Sequence, residues 1–575
     1  MCVASALMLQ SCLNSDYDLT KDIDTRINVD GDFSAPLGNS ELILADEFLD
    51  LENAGEVLRT DSDGNYYLSV TGGSASSLIS IPLMSFDKEL VRGGGYRATV
   101  KKSEFGLPSS GVVPSVVFRK QFKASTTPLE VNEDVPSEVV DVKDVSASGT
   151  VTIALSSTAG KFSLSDLVLD FPDYLEFGDV KDAAVSFEHN GNVLTIGDRQ
   201  VTTRPVTLTL DITGIDFRKI PAGQGLVASE HKILIDDVVT LREFGFSAVL
   251  SDLGNTVSSV PESVSALIDI SVSSLYVKEA TVKVRPGINI APVTVPVGSM
   301  PDFIRGDGVV LDLANPALLL DIDNDTPLAV ELGADVVSHK GASTVKVHIG
   351  GDGKMTAPGY AETLFHISRT GDGAPDGAGK IVAPDLGNVV GSVPESIGVE
   401  NISAEPADEY VVVRPGSDYR ISYSYEVNAP LAFGENVHIV YSTDFNGWND
   451  TFNPDDNDFS LNIADAVVTF DFVNMLPLCM RLAAEAIDVD GNVIRDIDVR
   501  LDGSIAPGSL ERPSETSLTL TLKAGADAIR KLDGIRLDIT GSDPGDFRGI
   551  CINKNQGVQF RNMKLHLIGS MDIDL

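Results

Sequence analysis

The chain has 575 residues and a hydrophobic fraction of 43%, enough apolar material for several cores and, by length, for about three or four domains. Its 84 acidic residues against 43 basic ones give a net charge of −41, a balance that repels nucleic acid and anionic lipid headgroups. No run of 18 apolar residues follows Cys12, so no helix is expected to cross a membrane.

The chain opens Met1-Cys-Val-Ala-Ser-Ala-Leu-Met-Leu-Gln-Ser-Cys12: a short apolar run, a small residue, then a cysteine. That is the shape of a bacterial lipoprotein signal, in which Ser11 admits the signal peptidase and the Cys12 thiol carries the lipid. No Lys or Arg precedes the apolar run, which places the expected start of the signal upstream. The chain then turns acidic, Ser15-Asp-Tyr-Asp-Leu-Thr-Lys-Asp-Ile-Asp24, giving residues 1–25 as a signal remnant and tether.

From residue 26 onward the pattern is β. Alternating runs rich in Val, Ile, Leu and Thr recur: Val206–Ile212, Val345–Ile349, Tyr410–Arg414 and Ser517–Leu522. Asp63-Gly64, Asn190-Gly191, Asp352-Gly353 and Asp490-Gly491 supply tight turns between strands. Helical signals are few. Leu478–Ile487 carries helix-forming residues but is short, and Ala524–Leu532 reads as one short helix.

Asp252-Leu-Gly-Asn-Thr-Val-Ser-Ser-Val-Pro-Glu-Ser263 recurs as Asp385-Leu-Gly-Asn-Val-Val-Gly-Ser-Val-Pro-Glu-Ser396, with ten of twelve positions identical at an offset of 133. A weaker copy is Val135-Pro-Ser-Glu-Val139. The period is too long for a solenoid and is close to the size of a β-sandwich domain. The expected organisation is an all-β chain of tandem β-sandwich (immunoglobulin/fibronectin-like) modules. An N-terminal β region at 26–130 would precede modules at 131–251, 252–384 and 385–575, the last with room for an extra subdomain. A second correspondence joins Asn324-Asp-Thr-Pro-Leu328 to Asn474-Met-Leu-Pro-Leu478.

Chemistry-bearing patterns are sparse. Seven histidines are scattered without metal-ligand spacing, and no nucleophile elbow, phosphate loop or zinc-protease motif occurs. Neither catalysis nor a cofactor is expected. Three acidic stretches resemble partial calcium loops: Asp61/Asp63/Asn65, Asp321/Asp323/Asp325 and Asp488/Asp490/Asn492. None has a side-chain ligand at the twelfth position, and all three read as turns rather than metal sites. Cys479 and Cys551 sit in apolar contexts and read as separate thiols, with a disulfide as the alternative in an exported protein. The longest polar loop, Ser442–Asp458, holds the chain's one tryptophan, Trp448, beside Asn446, Asn449 and Asp450. An aromatic flanked by amides and a carboxylate can stack on a sugar and bond its hydroxyls. The alternative is that Trp448, Phe445 and Phe452 pin the loop to its module.

Cys12 followed by the Asp-rich segment with Lys21-Asp22 resembles the surface-export signal of Bacteroidetes lipoproteins, and Ser15–Asp24 is similar to the opening of large β-rich lipoproteins of such bacteria. That resemblance implies lipid anchoring to the outer membrane and display on the cell surface. Val310–Leu332, with Asn315-Pro316 and Asn324-x-x-Pro-Leu328, resembles late-embryogenesis-abundant (water-stress) domains, whose fold is fibronectin-like. The expected function is structural, adhesive or binding, with a surface protein or glycan as partner. The alternatives are a glycan-binding accessory of a polysaccharide-uptake system and a fimbrial subunit processed at Arg26 or Arg59.

Overall fold

The computed structural model describes residues 26–49, 57–72, 74–180, 182–297, 308–351, 355–391, 393–449, 459–529 and 531–574. The chain is all-β, as its alternation requires, and each predicted strand run falls in a strand. In Ser514–Ala524, for example, Leu518, Leu520 and Leu522 are buried while Thr519 and Thr521 face outward. Gly64, Gly191 and Gly491 all adopt positive φ in their turns. The Asp352-Gly353 turn lies outside the described residues.

Pairing of the strands resolves three modules with one shared plan. Each has eight strand positions, numbered here along the chain, in two antiparallel sheets ordered 1-8-3-6 and 2-7-4-5. That is the jelly-roll order, a β-sandwich of two Greek keys, which refines the immunoglobulin/fibronectin-like expectation within the sandwich class.

In the inner module the first strand is Val91–Lys101, the third Val139–Ser157, the sixth Val206–Asp216 and the eighth Ser263–Val272. Its second sheet is long, and each of its strands is interrupted once. Val117–Phe122 continues as Ser125–Asp134, and Lys232–Leu241 continues as Phe244–Val249. The middle module takes its first strand from Tyr66–Thr71 and Ala75–Ser80, which pair with its eighth, Asp418–Pro430. Its third and fourth strands are Ala317–Asn324 and Val330–Lys340. The outer module pairs Arg26–Gly38 with Gly557–Asp574, from Arg26 opposite Asp574 to Gly38 opposite Met563. Its third and fourth strands are Phe459–Asn474 and Cys479–Ile487.

The modules are therefore nested, not consecutive. Outer strand 1 comes first, then middle strand 1, then the whole inner module, then the rest of the middle and the rest of the outer. The expected boundaries at 130/131, 251/252 and 384/385 are corrected accordingly. The region 26–130 is shared among all three modules, and the boundary at 251/252 cuts off the inner module's eighth strand. The Val-Pro-Glu-Ser repeat misplaced these limits because its copies stand at different points of the plan. One precedes strand 8 of the inner module (Ser263) and the other precedes strand 7 of the middle module, Ser396–Pro406. Both copies fold as short helical turns whose Leu253, Val260, Leu386 and Val393 are buried, and proline ends the turn before a strand. The motif is a local plug, not a module signature.

Asn324-x-x-Pro-Leu and Asn474-x-x-Pro-Leu do occupy equivalent places, the turn from strand 3 to strand 4. Asn324 is fully buried, and its Nδ2 donates to the carbonyls of Leu328, Ala357 and Pro358. Asn474, also fully buried, donates to Leu328's counterpart Leu478 and to Ala506, while its Oδ1 accepts from Leu476 N at 2.8 Å. The partners on the far side are Ala357-Pro-Gly359 and Ala506-Pro-Gly508, a match that extends the repeat. Glycine is required there: a Cβ at Gly508 would lie 2.1 Å from Asn474 O, and one at Gly359 would lie 2.7 Å from Pro327.

Cys479–Ile487 forms a strand, although its residues favour a helix. It pairs along its full length with Gly534–Ser542 and buries Met480 and Leu482 on alternate positions, so packing overrides propensity. The short helix Ala526–Ile529 falls within the expected 524–532. Asp321 and Asp323 lie within the third middle strand rather than in a turn, so that reading is corrected: the pleat sends both outward beside buried Leu320 and Ile322.

Asn474→Ala is expected to cost the outer module about 2–4 kcal/mol, because three buried polar groups lose their partner. Trp448, the only tryptophan, lies in that module, so urea unfolding followed by its emission measures the loss. A change within about 0.5 kcal/mol, as for a surface substitution, would contradict the role.

Candidate functional site

Cys12 and the acidic segment behind it lie outside the described residues. The first described residue, Arg26, pairs with Asp574 at the end of the outer module's eighth strand. The outer module docks on the middle one through the turn at Asp61–Tyr66. Asn553 Nδ2 donates to Asp63 O and to Asn65 Oδ1, and Tyr66 N donates to Ile552 O. The inner module docks on the middle one through Tyr276–Val284, which pairs with both Val139–Ser157 and Val411–Val413. Among the described residues no strand pairing joins inner to outer.

At the predicted tryptophan loop, Trp448 is half-buried and packs against the core. The Trp448 backbone N–H donates to Asp533 O at 2.7 Å, Asn449 N donates to Asp533 Oδ1 at 3.0 Å, and Asn449 Nδ2 donates to Leu532 O at 3.4 Å. The structure thus brings Trp448 and Asn449 together against the 532–533 turn and leaves Asn446 exposed; Asp450 lies outside the described residues. At the strand end before the loop, Asp444 is held by both Nε and Nη2 of Arg536 at 2.8 Å, and this guanidinium keeps the carboxyl below its usual range.

Two of the acidic turns are saturated from within. Asp61 Oδ1 accepts from the N–H groups of Asp63 and Asn65, and Asp488 Oδ1 does the same from Asp490 and Asn492. Those backbone donors hold both carboxyls down. Cys479 and Cys551 are free thiols; burial, reinforced by the Asp61 carboxylate, pushes the Cys551 thiol up.

A polar network covers the second sheet of the middle module. Asp335 accepts from Asn401 at 2.8 Å, His348 at 2.9 Å and Lys346 at 3.1 Å. Burial alone would raise its carboxyl, but these donors outweigh it and hold the group at about 2.

Composition gave no signal for the cleft at the seam between the middle and inner modules. It encloses about 500 Å³ and is lined by Pro327, Tyr360, Glu409, Tyr410, Arg414 and Tyr419. Tyr360 follows the Ala357-Pro-Gly359 turn that Asn324 fixes, is 66% exposed and has φ of +55°. The left-handed region costs an L-residue about 1–2 kcal/mol, and an aromatic ring held there is uncommon. Tyr410 is fixed from the inner module: its hydroxyl donates to Asp141 at 2.5 Å, and the Lys283 ammonium lies 5.1 Å from its ring centre. A dipeptide signal was present in Gly359-Tyr360, but nothing local pairs residue 360 with residues 410–419.

No family model matches the chain, and no curated protein matches it in sequence. Among solved structures, a protein of Parabacteroides distasonis ATCC 8503 described as secreted is similar over 49% of this chain and 82% of its own, at 17% identity and a TM-score of 0.36. A chain from the triple jelly-roll turret assembly of an archaeal virus covers 85% of this chain and 91% of its own, at 10% identity and a TM-score of 0.11. At these scores neither likeness bears on function, and the jelly-roll assignment rests on the strand pairings alone.

Because the Asp335 carboxyl is lowered in the folded state, its stabilising contribution is complete above the usual carboxylate range near pH 4 and is lost as pH falls through about 2. Acid unfolding of Asp335→Asn is therefore expected to show a shallower loss of stability across that window than the parent chain. Identical acid profiles would contradict the network.

Proposed function

We propose that this chain is a lipid-anchored surface protein that acts by binding or adhesion, without catalysis, and that its nested jelly rolls form a stalk. Lipid on Cys12 would hold residues 13–25 at the outer membrane. The observation that carries this reading is positional: Arg26, next to the acidic segment, lies in the outer module, while among the described residues the inner module's strands pair across to the middle module and not to the outer one. Under this arrangement the most deeply nested segment of the chain stands farthest from the lipid. The net charge of −41 favours a well-solvated surface that stays off anionic headgroups.

Fimbrial strand exchange would need a module lacking a strand. Here the outer module's first strand is supplied by its own chain and pairs with Gly557–Asp574 over twelve register positions. Processing at Arg59 would have to remove it first. The surface-stalk reading is therefore preferred.

Cys12→Ala is expected to move the protein from the membrane fraction to the soluble fraction. An epitope inserted at the exposed Pro221–Gly223 turn of the inner module is expected to bind antibody on intact cells. Unchanged partition, or an epitope reached only after lysis, would overturn the reading.

A further inference from the structure

We propose that the seam cleft between the middle and inner modules binds a neutral saccharide, with Tyr360 as its stacking platform. This goes beyond the anchored-stalk reading and does not depend on it, since binding in solution needs no lipid.

Three observations converge on the cleft. The first is the backbone. Tyr360, at φ +55°, follows the turn that the fully buried Asn324 locks through the carbonyls of Ala357, Pro358 and Leu328, and its backbone N–H donates to Thr326 O at 2.9 Å. The residue after Ala506-Pro-Gly508 in the outer module is Ser509, which is buried and not left-handed, so the shared Asn-bound turn demands neither an aromatic nor a positive φ at this place. A ring in a strained conformation, mostly in solvent, gives little to the core; such outliers persist where the surroundings fix them and concentrate at functional sites.

The second is the composition of the walls. Tyr360, Tyr410 and Tyr419 contribute rings and hydroxyls, while Arg414 and Glu409 contribute a donor and an acceptor, within about 500 Å³. A pyranose has a face of C–H groups and a rim of hydroxyls, which matches an aromatic platform edged by donors and acceptors.

The third is charge. Three ions beside the cleft already have a counter-charge or a donor. Arg414 Nε lies 3.4 Å from Glu279, Lys283 lies 3.2 Å from Asp408, and Glu409 accepts from Ala329 N at 3.3 Å. A charged ligand would compete with these partners. A neutral polyhydroxylated one can bond their remaining sites. The walls come from the middle module, and one of them, Tyr410, is positioned from across the seam by Asp141 and Lys283.

The test is affinity electrophoresis and titration calorimetry of the full chain against β-glucan, mannan and xylan oligosaccharides. At least one is expected to bind. Tyr360→Gly is expected to weaken that binding about ten-fold or more, as loss of one stacked ring and its edge contacts implies. Glycine tolerates the left-handed backbone, so the thermal midpoint should hold within about 2 °C. Arg414→Gln should weaken binding without changing the fold, and Tyr276→Ala, at an exposed tyrosine outside the cleft, should leave it unchanged. The proposal is overturned if none of the three sugars binds, if Tyr360→Gly and Arg414→Gln both bind as the parent does, or if Tyr360→Gly lowers the midpoint substantially, which would make the ring a packing residue.

Discussion

Everything in this molecule depends on the pairing of the first strand of each module with its eighth. In the outer module that contact joins residues 26–38 to 563–574; in the middle it joins 66–80 to 418–430; in the inner it joins 91–101 to 263–272. Each pairing covers the eighth strand, which would otherwise be an open edge of its sheet. The pairings also enclose one another, so the 1-8-3-6 sheet of the middle module and that of the outer module are each closed across an insertion. Closure over so long a loop costs entropy that grows only slowly with length. The larger consequence is kinetic. Local pairings within the inner module form early, and the outer closure has to wait for everything it encloses.

A single device links this scaffold to the candidate site. The turn from strand 3 to strand 4 places an asparagine in the core, where its amide satisfies carbonyls that no strand reaches. In the outer module the device serves packing alone. In the middle module it also sets the backbone from which Tyr360 projects into the seam. The residue that follows differs: Ser509 is buried and not left-handed, while Tyr360 is exposed at φ +55°, so the sandwich beneath is kept while the turn's exit changes.

Strand content was legible because alternation is local: Val206–Ile212 and Ser517–Leu522 each carry their own period, and Asp-Gly and Asn-Gly turns carry their own φ requirement. Module limits were not legible, because pairing is set by partners hundreds of residues apart and leaves no mark on either strand. The strongest repeat, Val-Pro-Glu-Ser, encodes a local plug before a strand and so pointed to the wrong limits. The weaker one, Asn-x-x-Pro-Leu, encodes a turn bound to a second loop and held the correct equivalence. Cys479–Ile487 misled through propensity, since alternating burial of Met480 and Leu482 outweighs the helical preference of its alanines. Trp448 drew attention as a lone aromatic in a polar loop, whereas the tyrosines of the seam meet only in three dimensions.

Nesting itself is tested most directly by one cut. A protease recognition sequence placed in the exposed Asp87–Glu89 segment divides the chain between the middle module's first strand and the inner module. The nested arrangement predicts that the fragment carrying outer strand 1 and middle strand 1 co-elutes with the remainder under native conditions and separates only in denaturant. Release of that fragment in native buffer would contradict the arrangement.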